Sequence, residues 1–341
     1  MIDRSAVQEF DPSGMHKVYN KWPEIAYDSY ESEIEPVYFD GIDHVVFSGM
    51  GGSGTVGDLF ASVLSRTNIH ATVVKGYLLP KTVDYRTLLV CTSVSGNTAE
   101  TLAVAEGAKK TNCNVVCFSS GGKLERFCGK NSIPFRKVKM LLNPRSSFPA
   151  YVYSMIRALG PILPISRSDV SESLQDMSRL SESICSLHLG PANPSLELAQ
   201  WMNGIPLIYY PWGLQAAAIR FKNSIQENMK VHAMTEDVIE ASHNGIVSWE
   251  SKSKVVPIIV SGQDDYIKTK DRWAVLREFF AKKGIDYREI GSVKGSILSK
   301  IVNLIYELDY ATIYGAILRR TDPCPVSPID FVKERTQRGS P

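Results

Sequence analysis

The stretch HVVFSGMGGSG, residues 44–54, decides the fold. An apolar run enters glycines at 49, 51 and 54, and beyond them Val56, Leu59, Phe60, Val63 and Leu64 recur at helical spacing. Strand, tight turn and helix therefore follow one another. The same order recurs as ATVVK (71–75), TLLVCTS (87–93), a helix over about 98–110 and NVVCFSS (114–120). Such near-continuous apolar strands belong to a parallel sheet covered by helices on both faces. A helical stretch at 147–159 leads into GPILP and then into Val170, Leu174, Met177, Leu180, Ile184 and Leu187, an amphipathic helix that bridges to a second set of elements. That set comprises IPLIYY (205–210), a helix over about 214–229, VVPIIVSG (255–262), a helix near 270–283 and DYREIG (286–291). The expected architecture is α/β, with one doubly wound unit over 1–160, a second over 161–341, and a cleft between them where ligands commonly bind.

Composition agrees with an ordinary globular enzyme: 341 residues, 44% hydrophobic and 22% charged. Lys and Arg number 38 against 36 Asp and Glu, which argues against a nucleic-acid groove or a membrane-binding face while allowing a small anion. The start, MIDRSAVQEFDPSG, carries acidic residues where a signal peptide has a basic segment, and no apolar run approaches the roughly 18 residues of a membrane span. A cytoplasmic chain without a membrane partner is expected. The six cysteines, Cys91, Cys113, Cys117, Cys128, Cys185 and Cys324, lack paired C-x-x-C spacing and read as reduced core residues. No H-x-x-x-H spacing occurs, and the E-x-x-H of Glu240 and His243 has no second such pair in the sequence, so no metal is expected.

The glycines spell G-x-G-x-x-G, but a dinucleotide fold places Asp or Glu at the end of the second strand to bind ribose. Here that strand ends in Lys75 and Gly76, which leaves only an NADP reading with Lys75 on a 2′-phosphate. The next strand supplies the alternative. TLLVCTS runs into VSGNTAET, so Ser93, Ser95 and Thr98 stand where a parallel strand gives way to a helix. Hydroxyls and backbone N–H groups at a helix N-terminus suit a phosphate monoester, and Gly52 and Ser53 of the first loop add a further side. Turn and capping chemistry alone would explain either loop, but explains both together less well.

With these two loops the chain resembles the sugar isomerase (SIS) domains, which bind phosphosugars. The resemblance continues through NPRSSFPAY (143–151), SIQENMK (224–230), SHNGIVSWE (242–250) and RRTDPCPVSPIDFVK (319–333), in that order. Together they are similar to the bifunctional phosphoglucose/phosphomannose isomerases best known from archaea, over about residues 15 to 333. One departure is visible: that family usually has Glu after His-Asn, and this chain has Gly245.

The resemblance implies two SIS-type domains and a metal-free, cofactor-free interconversion of glucose 6-phosphate, mannose 6-phosphate and fructose 6-phosphate through an enediolate. It assigns Glu227 as the general base, a role suited to a carboxylate whose pKa burial can raise. It assigns His243 and Lys333 to ring opening, with His243 often donated by a second subunit of a homodimer. Arg145, after Pro144 in a polar turn, would stabilise the enediolate oxygens through its fixed cationic fork. Three other readings use fewer of these residues: a non-catalytic phosphosugar-binding SIS protein, an amino-sugar phosphate isomerase, and the NADP oxidoreductase.

Overall fold

The computed structural model describes residues 2–338. Three short helices, α1 (Arg4–Phe10), α2 (Met15–Asn20) and α3 (Trp22–Tyr30), precede β1 (His44–Ser48), α4 (Gly52–Leu64), β2 (His70–Val74) and β3 (Thr87–Ser93). Then come α5 (Ala99–Ala108), β4 (Asn114–Ser119), α6 (Gly122–Asn131), β5 (Phe135–Lys137), α7 (Phe148–Leu159), α8 (Arg167–Ile184) and α9 (Pro194–Trp201). The second set is β6 (Ile205–Tyr210), α10 (Gln215–Ser224), β7 (Met234–Asp237), α11 (Val238–Ala241), β8 (Val255–Ser261), α12 (Ile267–Lys283) and β9 (Arg288–Gly291). Two helices close the chain, α13 (Ile297–Leu318) and α14 (Ser327–Arg338).

The strands form two parallel sheets, in the orders β2-β1-β3-β4-β5 and β7-β6-β8-β9. In the first, Val46 lies between Thr72 and Leu89, and every residue of β1 and β3 is buried, as their unbroken apolar character requires. The edge strand β2 is only partly covered. Helix α4 approaches β1 closely at Gly57, where a Cβ would stand 2.9 Å from that of Phe47. Sheets from both halves feed one continuous core, which includes Val45 and Phe47 as well as Ile258 and Val260.

Two features depart from the sequence reading. The helix expected over 214–229 is α-helical only to Ser224 and continues as a π-helical turn, Ile225–Met229. The larger departure is α13, whose apolar face is too continuous to show an amphipathic period. It is long and apolar enough to cross a membrane by length and composition, contrary to the expected lack of such a run, but 89% of its apolar window is buried inside the protein. It is the central core helix, packed on α4, α8, α9 and α10. The N-terminal helices close over it: Tyr306 donates to the Tyr19 carbonyl at 2.8 Å, and the Trp22 ring stacks on Tyr306 at 5.3 Å. All six cysteines are free thiols; Cys91, Cys117, Cys128 and Cys185 are buried, whereas Cys113 and Cys324 are half-buried.

Candidate active site

Because β1 connects outward to β2 while β3 connects in the opposite direction to β4, the loops after β1 and β3 diverge and leave a crevice at the carboxyl ends of these strands. Both loops picked out from the sequence flank it. In the first, Gly51 adopts φ +53° at the N-cap of α4, and a Cβ on Gly54 would stand 2.9 Å from the Gly49 carbonyl oxygen. The glycines thus serve a tight turn. Lys75, the residue an NADP reading would need, is held 2.6 Å from Asp58. In the second loop Gly96 has φ +67°, and a Cβ there would collide with the Gly121 carbonyl. Ser93 and Thr98 share a hydroxyl hydrogen bond of 2.9 Å, while Ser95 is exposed. Among the described residues no side chain caps α4 or α5; the Ser53, Gly54 and Thr55 N–H groups of α4 already donate to the Met50 and Gly51 carbonyls, so the start of α5 is the one that offers first-turn N–H groups to an anion. The loop after β4, Ser119 to Gly122, escaped the sequence reading; it buttresses the second loop, with the Lys123 N–H donating to Asn97 at 3.1 Å.

Arg145 lies in the turn before α7, and that turn is built from its own polar residues. Ser146 and Ser147 donate to the Asn143 carbonyl at 3.0 and 2.8 Å, and the Trp22 indole donates to the Ser146 carbonyl at 3.1 Å. The Arg145 side chain is 6% exposed. Its Nη1 donates to Glu227 Oε2 at 2.6 Å, and its Nη2 to the carbonyls of Pro323 and Cys324 at 3.0 and 2.9 Å. Glu227 comes from the π-helical turn, a form that appears mostly as a local departure from an α-helix and frequently at functional sites. The turn stops at Lys230, which adopts φ +58° and donates to the carbonyls of Glu227 and Pro325. Burial above all, and then the nearby Arg145 guanidinium, lower the Lys230 pKa below the ordinary lysine value.

Glu227 opens onto a cleft of about 460 Å³ whose lining also includes Gly51, Asn223, Gln226, Lys230, Pro325 and Ile329. The first loop, the π turn and the segment leading into α14 thus meet at one place. Gly52 stands beside them: a Cβ on it would be 3.1 Å from Arg220 Nη1 and 3.7 Å from the Pro144 carbonyl oxygen. Arg220, 2% exposed, is paired with Asp309, 0% exposed, through Nη2 at 2.7 Å and Nε at 3.0 Å. Asp309 accepts two further hydrogen bonds, from Tyr19 at 3.0 Å and Ser224 at 2.5 Å. Sequence reading passed over Lys230, Arg220 and Asp309. Of the three, Asp309 alone leaves a signal, as one of two acids, with Glu307, inside a mostly apolar helical run.

Of the residues expected in the site, Arg145, Glu227 and Gly52 come together, with Ser53 buried at the start of α4. His243 and Lys333 do not join them within one chain. His243 is exposed on the loop after α11, and Lys333 is exposed on α14; neither lines the cleft. At Gly245 a Cβ would collide with the Glu236 carboxylate, so the position usually occupied by Glu in the resembled family has a neighbouring carboxylate over it. Burial first, and then Glu240, raise the Glu236 pKa.

The model for the bacterial phospho-glucose isomerase C-terminal SIS domain matches residues 191–336. A bifunctional phosphoglucose/phosphomannose isomerase from Caldicellulosiruptor bescii is 31% identical over 315 residues, which cover 87% of this chain and 90% of that relative. The chain belongs to the bifunctional phosphoglucose/phosphomannose isomerase family. A member of this isomerase family from Aquifex aeolicus is 27% identical, covering 86% of the chain and 90% of the relative. A D-glucosamine-6-phosphate 4-epimerase from Sulfolobus acidocaldarius is also similar, at 28% identity over 72% of the chain and 77% of the relative. Among solved structures, a hypothetical protein from Thermus thermophilus has a TM-score of 0.75 at 14% identity, covering 98% of this chain and 92% of that one. The tagatose-6-phosphate ketose/aldose isomerase of Escherichia coli has a TM-score of 0.63 at 16% identity, covering 94% of each chain, so the fold is the one shared across these SIS-type isomerases.

Proposed function

We propose that this chain is a metal-independent aldose–ketose isomerase that interconverts glucose 6-phosphate and mannose 6-phosphate with fructose 6-phosphate. The observation that carries the reading is the Arg145–Glu227 pair, 2.6 Å apart, at a cleft that also contains the first glycine loop. Isomerisation needs a base that moves a proton between carbons 2 and 1 and a cation for the enediolate oxygens, and these two side chains supply both. The 6-phosphate is assigned to the hydroxyls of Ser93, Ser95 and Thr98 and the uncapped amides beside them, with Gly52 and Ser53 closing the first loop over the sugar. In this division residues 1–160 hold the phosphate and residues 161–341 carry the base.

Ring opening is assigned to His243 and Lys333. Both are exposed in the single chain and neither lines the cleft, which suits a cytoplasmic homodimer in which His243 of the partner subunit completes each site. Among the described residues no group of three or more His, Cys, Asp or Glu side chains is arranged to hold a metal. The test is incubation with each of the three hexose 6-phosphates in buffer containing EDTA, with no cofactor added. Conversion in every direction is expected. Loss of the mannose 6-phosphate activity alone, restored by zinc, would overturn the metal-independent mechanism. The 4-epimerase relative supports a second reading, action on an amino-sugar phosphate, so glucosamine 6-phosphate belongs in the same assay; conversion of that substrate alone would replace the first reading.

A further inference from the structure

The Arg220–Asp309 pair is buried, is not part of the chemistry proposed for Glu227, and bridges residues 89 apart. Its partners are informative. Nε and Nη2 grip the Asp309 carboxylate of α13, and Nη2 also donates to the Arg145 carbonyl at 2.9 Å. Nη1 faces Gly52 at the mouth of the first loop, and the guanidinium plane lies over the Phe148 ring, 5.1 Å from its centre, just beyond the Arg145 turn. Arg220 is itself on α10, seven residues before Glu227 on the same continuous helical segment. One side chain therefore touches the glycine loop, the backbone of the Arg145 turn and the core helix, and it stands on the element that carries the base.

Buried ion pairs are weak contributors to net stability, because removing two charges from water offsets most of their attraction. What a planar fork does supply is fixed geometry, and it does so in a way that a lysine ammonium does not. We propose that Arg220, clamped by Asp309, is a positioning residue that sets the Arg145–Glu227 geometry and holds the first glycine loop against it. Tyr19 and Ser224 complete the clamp by filling the remaining acceptor sites of Asp309. The smallness of position 52 follows from the same arrangement, since any side chain there would press on Nη1.

This inference rests on Glu227 being the base. The test is Arg220→Lys, which keeps the buried charge and loses the fork. Turnover is expected to fall on the order of 10²-fold, the loss that a displacement of about 1 Å causes in a reacting constellation. KM and the affinity for unreactive sorbitol 6-phosphate, measured calorimetrically, should stay at the parent values. Ser224→Ala, which removes only one hydrogen bond to Asp309, should lower turnover less and in the same pattern; it decides the matter if Arg220→Lys does not fold. Parental turnover in the deciding variant, or a fall in turnover matched by an equal loss of sorbitol 6-phosphate binding, would overturn the positioning role. An active Glu227→Gln would instead remove the proposed base, whereas inactive Glu227→Gln beside fully active Arg220→Lys would remove only this inference.

Discussion

Replacing Glu227 by Gln separates catalysis from stability, because the structure makes the two effects unequal. The amide retains an acceptor oxygen for Arg145 Nη1, now 2.6 Å from the carboxylate, so an ion pair becomes a hydrogen bond from the charged guanidinium to a neutral acceptor. At a side chain still 23% exposed, that change is worth about 1 kcal/mol of stability. Loss of a general base removes about 10² to 10⁴ of rate, or roughly 3–5 kcal/mol of barrier lowering. The variant should therefore fold, bind sorbitol 6-phosphate and fail to turn over. In deuterated water the parent protein should also exchange the carbon-2 hydrogen of its substrate with solvent, as followed by proton NMR, and Glu227→Gln should not. Parental turnover, or undiminished exchange in the variant, would take Glu227 out of the mechanism. A deep loss of sorbitol 6-phosphate binding would show that the Arg145–Glu227 pair had been holding the cleft open.

Ser95→Ala with Thr98→Ala should raise KM for 6-phosphosugars about tenfold or more, since each hydrogen bond to a charged group is worth about 1.5–3 kcal/mol. Equal weakening of unphosphorylated sugars would place the phosphate elsewhere. If His243 is shared between subunits, mixing inactive His243→Ala with inactive Glu227→Gln and allowing exchange should restore partial turnover, because one site of the mixed dimer is intact; proven exchange without recovery would confine each site to one chain. Glu307, on α13, is pushed up to about 7 by burial. The folded chain binds its proton more tightly than the unfolded chain does, so this stabilising contribution is full below about pH 4 and is lost as pH rises through the folded value. Glu307→Gln should remove up to about 3 kcal/mol of that pH dependence, read from urea unfolding at about pH 5 and about pH 8. Parallel pH profiles for variant and parent would reject the titration of Glu307.

The sequence by itself determined the central strands of both sheets and the loops at the carboxyl ends of the first sheet. Apolar runs such as HVVFS and TLLVCTS can satisfy their backbones and bury both faces only in the middle of a covered parallel sheet, and they form β1 and β3. Glycines at 51 and 96 mark turns whose positive φ follows from local backbone geometry. The order of motifs then pointed to candidate residues for the site. Tertiary structure decided which of those residues meet. Arg145 and Glu227 are 82 residues apart, and their contact depends on two sheets, a π-helical turn and the packing of α10 on α13. No periodicity encodes such a contact. The Arg220–Asp309 clamp was hidden for the same reason, and α13 was missed because a helix buried on every side has no polar face to reveal its period. His243 and Lys333 mark the opposite limit: their motifs are plain in the sequence, but within one chain neither side chain lines the cleft, because which residues meet is set by packing and not by the motif that carries them.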